Sequence, residues 1–179
     1  MKTTINTSSL KDISINKYNR EAVSVCEAFV EHKLNANILF IQGDSESGKS
    51  TILQCLTNDL QHDLDWNVRI AETKEIALIL DQAIRKPGYS HQVFSEQFME
   101  HDVLILDDFD YLVGMTDLQR ELANVIKYVI SSGRNIVIAS RNPSYQFPHM
   151  FTSKGFKEVR ISQPDAIHYQ DNEDERKTA

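Results

Sequence analysis

The chain has 179 residues, a net charge of −7, 41% hydrophobic residues and 25% charged residues, which are ordinary values for one globular domain. Its acidic balance excludes a global basic field that would attract nucleic acid, and no apolar run approaches the roughly 20 residues that span a bilayer. Without an apolar signal-peptide core at the N-terminus, we expect a cytoplasmic protein with no membrane partner, in which Cys26 and Cys55 are buried free thiols.

The first part of the chain alternates helical and strand patterns. After an irregular lead-in, apolar residues recur at helical spacing over 18–34. The short apolar run 37–43 ends at a glycine, which is typical of a buried strand that leads into a turn. A helix is predicted over 49–62, and the β-branched segment 67–71 predicts the second strand.

The middle of the chain continues this alternation. Apolar residues over 76–84 follow helical spacing, and the Pro-Gly pair at 87–88 ends that helix. Ser90 is predicted to cap a short helix. The run 102–108 is apolar up to its acidic end and predicts a third, buried strand.

The last part contains a strong amphipathic helix and two strands. Thr116 and Gln119 have the spacing of a capping box, and Gly133 stands where a C-cap glycine ends a helix. Segments 135–140 and 156–162 predict the fourth and fifth strands, the fifth at an edge of the sheet because its residues alternate in polarity.

Strands that alternate with helices indicate parallel pairing through crossover connections. The sequence therefore predicts an α/β fold with a doubly wound, mainly parallel five-stranded sheet. One domain is expected over 1–165, followed by an acidic, solvated tail over 166–179.

Residues 43–50 read GDSESGKS and match the P-loop pattern G-x-x-x-x-G-K-[ST] in full. The motif follows a predicted strand and opens a predicted helix, where backbone N–H groups and the helix N-terminus attract phosphate. The predicted phosphate-binding positions are Gly43, Asp44, Ser45, Glu46, Ser47, Gly48, Lys49, Ser50 and Thr51. Lys49 is expected to reach the β- and γ-phosphates of ATP or ADP, and Ser50 to ligate Mg²⁺. Asp44 and Glu46 are expected to weaken binding if they point inward.

The third predicted strand ends in two aspartates, which is the Walker B pattern. Asp107 is predicted to hold Mg²⁺ together with Ser50, and Asp108 to orient an attacking water. A strand end with solvated acids is the alternative, and the upstream P-loop disfavours it. Asp110 is predicted to lie on the surface.

With both motifs placed, the chain resembles the AAA+ family of P-loop NTPases, specifically its DnaA/Hda branch of bacterial replication initiators and regulators. The resemblance rests on NILFIQG before the P-loop, LILDDFDYL as Walker B, and IVIASRNPSYQF as the following sensor strand. Segment 14–22, SINKYNREA, is similar to the family's entry segment, which packs near the adenine. These similarities extend over about residues 10–165, and helicase loaders of the DnaC/IstB type share several of the motifs.

The resemblance implies a parallel sheet in the order five-one-four-three-two, ATP at the P-loop, and assembly into homo-oligomers or hetero-oligomers. It also implies a replication partner, which could be an initiator, a helicase or a clamp-associated protein. DNA is a further possible partner that the acidic charge does not support. The helical lid of the family has no counterpart after residue 165, so either the chain is truncated or the lid is absent.

Two stretches depart from the family pattern. In the family, the sensor strand usually ends in Ser or Gly followed by Asp, whereas this chain has Ser140-Arg141-Asn142 at that point. Ser140 or Asn142 would then have to polarise the attacking water. The usual arginine finger has its nearest match at Lys154, and lysine lacks the bidentate geometry of arginine.

Three functions follow as hypotheses. The leading one is an ATP-binding, DnaA/Hda-like AAA+ protein that acts in or regulates DNA replication through nucleotide-dependent protein contacts, with any ATP hydrolysis weak or partner-dependent. The first alternative is a non-catalytic nucleotide-binding scaffold, or pseudo-ATPase. The second is a DnaC/IstB-like helicase loader that binds single-stranded DNA.

Overall fold

A computed structural model describes residues 8–148 and 155–162, except for the Asp63 side chain. The strands are β1 (Ile38–Gly43), β2 (Val68–Glu72), β3 (Val103–Asp107), β4 (Asn135–Ser140) and β5 (Phe156–Ile161). They form one sheet in the order β2-β3-β4-β1-β5, and the four pairings are parallel. The predicted order and the edge position of the fifth strand are both confirmed.

In the described part of the chain, α1 (Arg20–Val30) precedes the first strand. The helices between the strands are α2 (Lys49–Asp63), α3 (Thr73–Ile84), α4 (His91–Ser95) and α5 (Thr116–Ser131). Short 3-10 turns occupy Leu10–Asp12, Glu96–Phe98, Phe109–Leu112 and Ser144–Gln146. Ser90 caps α4 as predicted, with its side chain accepting a hydrogen bond from Gln92 N. Within the described ranges, no helix has the length and apolar character needed to cross a bilayer.

The sheet is covered by helices on both faces because successive strand residues point to opposite sides. On one face, residues such as Leu39 and Ile41 pack beneath α1 and α2. On the other, residues such as Phe40 pack beneath α3, α4 and α5. This double burial explains why β1, β3 and β4 read as nearly continuous apolar runs. Cys26 and Cys55 are buried free thiols, as predicted.

An aromatic cluster joins the sheet to the segments that follow β3 and β4. The Phe40 ring lies 6.5 Å from that of Phe109 and 6.2 Å from that of Phe147, measured between centroids. Phe109 and Phe147 also pack edge to face at 4.9 Å. Since Phe109 comes directly after Asp107 and Asp108, this packing fixes the position of the Walker B aspartates relative to the sheet.

The predicted capping box at the start of α5 is wrong. Met115 occupies the N-cap position without a side-chain cap, and Thr116 is the first residue inside the helix. Gln119 is buried and donates from Nε2 to Leu112 O at 2.8 Å, so its side chain holds the preceding 3-10 turn and does not return to the N-cap backbone. Gly133 follows the C-cap with φ of 80°, which confirms its predicted role at the helix end.

Candidate functional site

A cleft of about 560 Å³ opens at the carboxyl ends of β1 to β4. In open parallel sheets this edge is where ligands bind. The cleft is lined by Ser45, Glu46, Lys49, Ser50, Glu72, Lys74, Asp107, Asp108, Asp110, Tyr111 and Arg141. The fold therefore brings the P-loop and the Walker B aspartates, which are far apart in sequence, to one cavity.

The P-loop backbone has a shape that only particular residues allow. A Cβ on Gly43 would lie 2.5 Å from Ser47 Oγ, so a side chain there would collide with the loop. Gly48 is the N-cap of α2 with φ of 92°, a left-handed conformation that favours glycine. The first N–H groups of α2 have no partner inside the helix, which leaves them available to an anion.

Lys49 lies across the P-loop. Its Nζ donates hydrogen bonds to Gly43 O and, at 2.8 Å, to Asp44 O. Burial lowers the pKa of Lys49, and the carboxylates of Asp110 and Asp107 partly offset this effect. The ammonium group is thus partly desolvated and held by two backbone carbonyl groups, which a stronger anionic acceptor could replace.

One polar atom of the loop lacks a partner. Ser47 Oγ is buried and has no hydrogen-bond partner among the described residues. Buried hydroxyl groups are normally paired, and an unpaired one next to a cavity is suited to a ligand. It lies within the segment predicted to bind phosphate.

Asp107 is half-buried at the end of β3. Its Oδ1 accepts a hydrogen bond from Asp108 N at 2.8 Å, and its backbone oxygen accepts one from Thr73 Oγ1 at 2.7 Å. Burial raises the pKa of Asp107, and the negative charge of Asp108 raises it further. Burial and the neighbouring charge disfavour the ionised form of this carboxylate, so a cation that binds beside it stabilises that form. Asp108 is exposed and adopts a left-handed backbone conformation with φ of 50°.

The prediction that Asp110 lies on the surface is wrong. Its side chain is only 7% exposed, and it accepts hydrogen bonds from Ser140 Oγ at 2.9 Å and Asn142 Nδ2 at 2.8 Å. Its carboxylate also accepts from the backbone N–H groups of Arg141 and Asn142 and from Arg141 Nε. Burial alone raises the pKa of Asp110, but these donors together lower it below its usual value. Sequence spacing could not show this, because the donors lie at the end of β4 and directly after it, some 30 residues away.

The three residues at the end of β4 and directly after it differ in whether they line the cleft. Ser140 is fully buried, and both Ser140 and Asn142 donate to Asp110. Neither is among the cleft-lining residues, whereas Arg141 between them is. Their predicted contact with an attacking water remains a prediction. In the sequence, Arg141 stands only as part of the departure from the family pattern, and the fold places it in the cleft.

The remaining predicted residues are spread around the loop. Asp44 and Glu46 are both exposed, and of the two only Glu46 lines the cleft. Thr51 is exposed on the first turn of α2. Lys154 lies outside the described residues. Sequence reasoning missed Glu72 and Lys74, which the strand-end rule could have suggested, because they follow the apolar part of β2.

A smaller cavity of about 250 Å³ adjoins the P-loop on its other side. Its lining consists of Asn16, Tyr18, Asn19, Glu46, Ser47, Ile161 and Ser162. Hydrogen bonds from Tyr18 N to Asn16 Oδ1 and from Asn16 N to Asn19 Oδ1, both 2.8 Å, shape the turn ahead of α1. Asn16, Tyr18 and Asn19 of segment 14–22 thus lie next to the P-loop, and the packing of this segment near an adenine remains a prediction.

Comparison with known proteins agrees with this architecture. The family model for the bacterial DnaA ATPase domain matches residues 9–153. A chromosomal replication initiator protein DnaA from Gloeobacter violaceus is 31% identical over 118 residues, which cover 65% of this chain and 26% of that protein. The chain thus spans about a quarter of the length of that relative, and 31% of a DnaA from Pseudothermotoga lettingae.

Solved structures show the same fold. Domain III of the Thermotoga maritima replication initiation protein DnaA has a TM-score of 0.72 and 23% identity, covering 88% of this chain and 68% of that one. AMPPCP-bound DnaA from Aquifex aeolicus has a TM-score of 0.69 and 21% identity, covering 87% and 50%. A DnaC helicase loader is less similar, with a TM-score of 0.64 and 16% identity, covering 86% and 96%. On the family match, which includes most of the chain, this protein belongs to the bacterial DnaA ATPase domain family.

Proposed function

We propose that this chain binds ATP or ADP with Mg²⁺ in the cleft and uses the bound nucleotide to control contacts with replication proteins. The observation that carries the proposal is the meeting of Lys49, Ser50 and Asp107 in one cavity at the N-terminus of α2. A phosphate-binding loop, a hydroxyl group and a strand-end carboxylate are the groups that a magnesium nucleotide requires.

The phosphate-binding role rests on the state of Lys49 and Ser47. Lys49 is held by two loop carbonyl groups, and phosphate oxygens are stronger acceptors for an ammonium group than carbonyl oxygens are. Ser47 Oγ is a buried donor that still lacks an acceptor. Both groups gain hydrogen bonds when a polyphosphate enters the loop.

The charge of the cleft supports a requirement for a divalent cation. Five carboxylates and three cationic side chains line it, so a polyphosphate alone meets an excess of negative charge. Ser50 and Asp107 offer the hard oxygen ligands that Mg²⁺ prefers, and they would hold it here. The metal would neutralise phosphate charge and polarise the phosphoryl group.

The adenine base would occupy the smaller cavity beside Tyr18. This cavity shares Glu46 and Ser47 with the rim of the P-loop, so a nucleotide with its phosphates in the loop can extend its base towards it. The structurally similar DnaA from Aquifex aeolicus is AMPPCP-bound, which supports a nucleotide as the ligand of this chain.

Asp108 is the residue proposed to orient a water for hydrolysis, and turnover is expected to be slow. Ser140 and Asn142 are the residues predicted to polarise this water, but their side chains donate hydrogen bonds to Asp110. This arrangement favours the second candidate function, a nucleotide-binding scaffold without appreciable turnover. Magnesium-dependent phosphate release that is abolished in Asp108→Asn would exclude the scaffold, and its absence in the wild type would support it.

Binding can be tested by equilibrium titration of ATP and ADP with Mg²⁺. Lys49→Ala should weaken ATP binding by about ten- to a hundredfold, because charge-assisted hydrogen bonds to the phosphates are lost. Lys127→Ala, which removes an exposed lysine from α5, is the matched control and should bind as the wild type does. If Lys49→Ala binds ATP as tightly as the wild type, the assignment of the site is wrong.

Partner control is tested by the mass of the particle in solution without nucleotide, with ADP and with ATP. Nucleotide-dependent contacts predict that the mass, alone or with an added replication initiator, changes between these three conditions. A mass that stays constant while both nucleotides bind would contradict such control. Binding of single-stranded DNA at low salt would favour the loader alternative.

A further inference from the structure

Arg141 projects into the cleft with only part of its guanidinium group engaged. Its Nε donates to Asp110 Oδ2 at 3.2 Å, and the side chain remains 58% exposed. Among residues 8–148 and 155–162, no hydrogen bond is made by its two terminal nitrogen atoms. Arginine has five donors in a rigid fork, so one edge of the group is anchored while the other stays available.

Asp110 anchors Arg141 at two points. Besides the contact with Nε, the Asp110 carboxylate accepts hydrogen bonds from Arg141 N at 2.9 and 3.0 Å. Asp110 is itself 7% exposed and fixed by Ser140 and Asn142. The arginine is therefore partly preorganised, which reduces the entropy lost when its free edge binds a ligand.

The order of the strands determines what Arg141 can reach. β4 lies between β1, which carries the P-loop, and β3, which carries Asp107. A chain of phosphates that starts in the P-loop and extends towards Asp107 must therefore pass the end of β4, where Arg141 stands. Its positive charge is near enough to act on Lys49, so two like charges face one cavity, as expected for a site that receives several negative charges.

We propose that Arg141, held by Asp110, recognises the terminal phosphate of ATP from within the same chain and so sets the preference for ATP over ADP. This inference rests on the proposed nucleotide-binding function and adds the residue that distinguishes the two nucleotides. Arg141 contacts the γ-phosphate, and Asp110 is the positioning residue behind it. An ADP complex leaves the free edge of Arg141 in solvent.

The test compares ATP and ADP affinities, both with Mg²⁺, by competition with a fluorescent nucleotide on the whole chain. Arg141→Gln should weaken ATP binding about tenfold or more while ADP binding changes less than about twofold, as expected for one charge-assisted contact. Arg141→Lys should give an intermediate loss, because lysine keeps the charge without the fork. Arg85→Gln is the matched control, because Arg85 is exposed at the end of α3 and donates to Asp81 through Nε and a terminal nitrogen.

Asp110→Asn provides a second, independent measurement. Its neutral side chain holds the arginine less firmly, so the ATP-to-ADP affinity ratio should fall while ADP binding is retained. A merely structural role of the Asp110–Arg141 pair would lower thermal stability and leave the ratio unchanged. Measuring the melting temperature of each variant separates the two effects.

The outcomes distinguish this inference from the proposed function. If the wild type binds neither nucleotide, the proposed function fails. If the wild type binds both, and Arg141→Gln lowers both affinities equally or changes neither, only the role of Arg141 is refuted. If Arg141→Gln does not fold, Arg141→Lys decides: a ratio equal to that of the wild type overturns the inference, and a reduced ratio supports it.

Discussion

Replacing Asp110 by alanine should destabilise the fold more than any other single charge removal in the cleft. The carboxylate accepts the polar hydrogen bonds that join the 3-10 turn Phe109–Leu112 to the end of β4, next to the apolar contact between Phe109 and Phe147. Its removal strands several donors at once. The perturbation therefore measures how strongly the Walker B segment is coupled to the sensor strand.

The magnitude follows from which donors remain buried. Arg141 is exposed, so water can satisfy its N–H groups, and Asn142 N keeps a hydrogen bond to Ser140 Oγ at 3.0 Å. Ser140 Oγ, fully buried, and Asn142 Nδ2, half-buried, lose their acceptor. With about 1–3 kcal/mol for each stranded donor, Asp110→Ala should cost about 3 kcal/mol. Asp110→Asn keeps one acceptor oxygen and should cost about 1–2 kcal/mol.

Urea or guanidinium denaturation monitored by circular dichroism gives the free energy of unfolding. Asp117→Ala is the matched control, because Asp117 is 91% exposed and pairs with Arg120 on the surface of α5. Such a pair contributes little, so the control should stay within about 0.5 kcal/mol of the wild type. A loss below about 1 kcal/mol for Asp110→Ala would show that the Asp110 hydrogen bonds are replaced by water, and would refute the reasoning.

Four further predictions test other parts of the structure. The pKa of Asp110 is lowered in the folded state, so the wild type should exceed Asp110→Asn in free energy of unfolding by the full amount above about pH 5 and by less below about pH 4. Denaturant titrations of both proteins at a series of acidic pH values check this, and a difference that does not change with pH would contradict it. Phe40→Ala should cost about 3–5 kcal/mol because Phe40 is fully buried among three other phenylalanine rings, and a denaturant midpoint near that of the wild type would disprove it. Gln119→Ala should lower the free energy of unfolding by about 1–2 kcal/mol, whereas Thr116→Ala should change it by less than about 0.5 kcal/mol. A larger loss for Thr116→Ala than for Gln119→Ala would show that the capping box does form. Burial raises the pKa of Cys26 to about 12, so a thiol reagent should modify Cys26 slowly in the native protein and rapidly in denaturant, with equal rates arguing against its burial.

The order of helices and strands could be predicted from local patterns. The strands β1, β3 and β4 are continuous apolar runs because helices cover both faces of the sheet, and Gly88 and Gly133 mark the ends of two helices. The exception was the start of α5, where Thr116 and Gln119 have capping spacing but Gln119 points inward. Spacing cannot distinguish a capping glutamine from one that points inward, because a buried carbonyl group such as Leu112 O competes for the same side-chain amide.

The amino-acid sequence by itself predicted the P-loop, since residues 43–50 are contiguous and their conformation depends on local backbone geometry. Only the tertiary structure decided what surrounds that loop. Asp110, expected on the surface, has a side chain that is only 7% exposed, because β3 and β4 are neighbours in the sheet and their carboxyl ends meet. The same neighbourhood places Arg141 in the cleft and directs the side chains of Ser140 and Asn142 to Asp110. Pairing between strands joins residues that are distant along the chain, and a single sequence carries no local signal for which of them will touch.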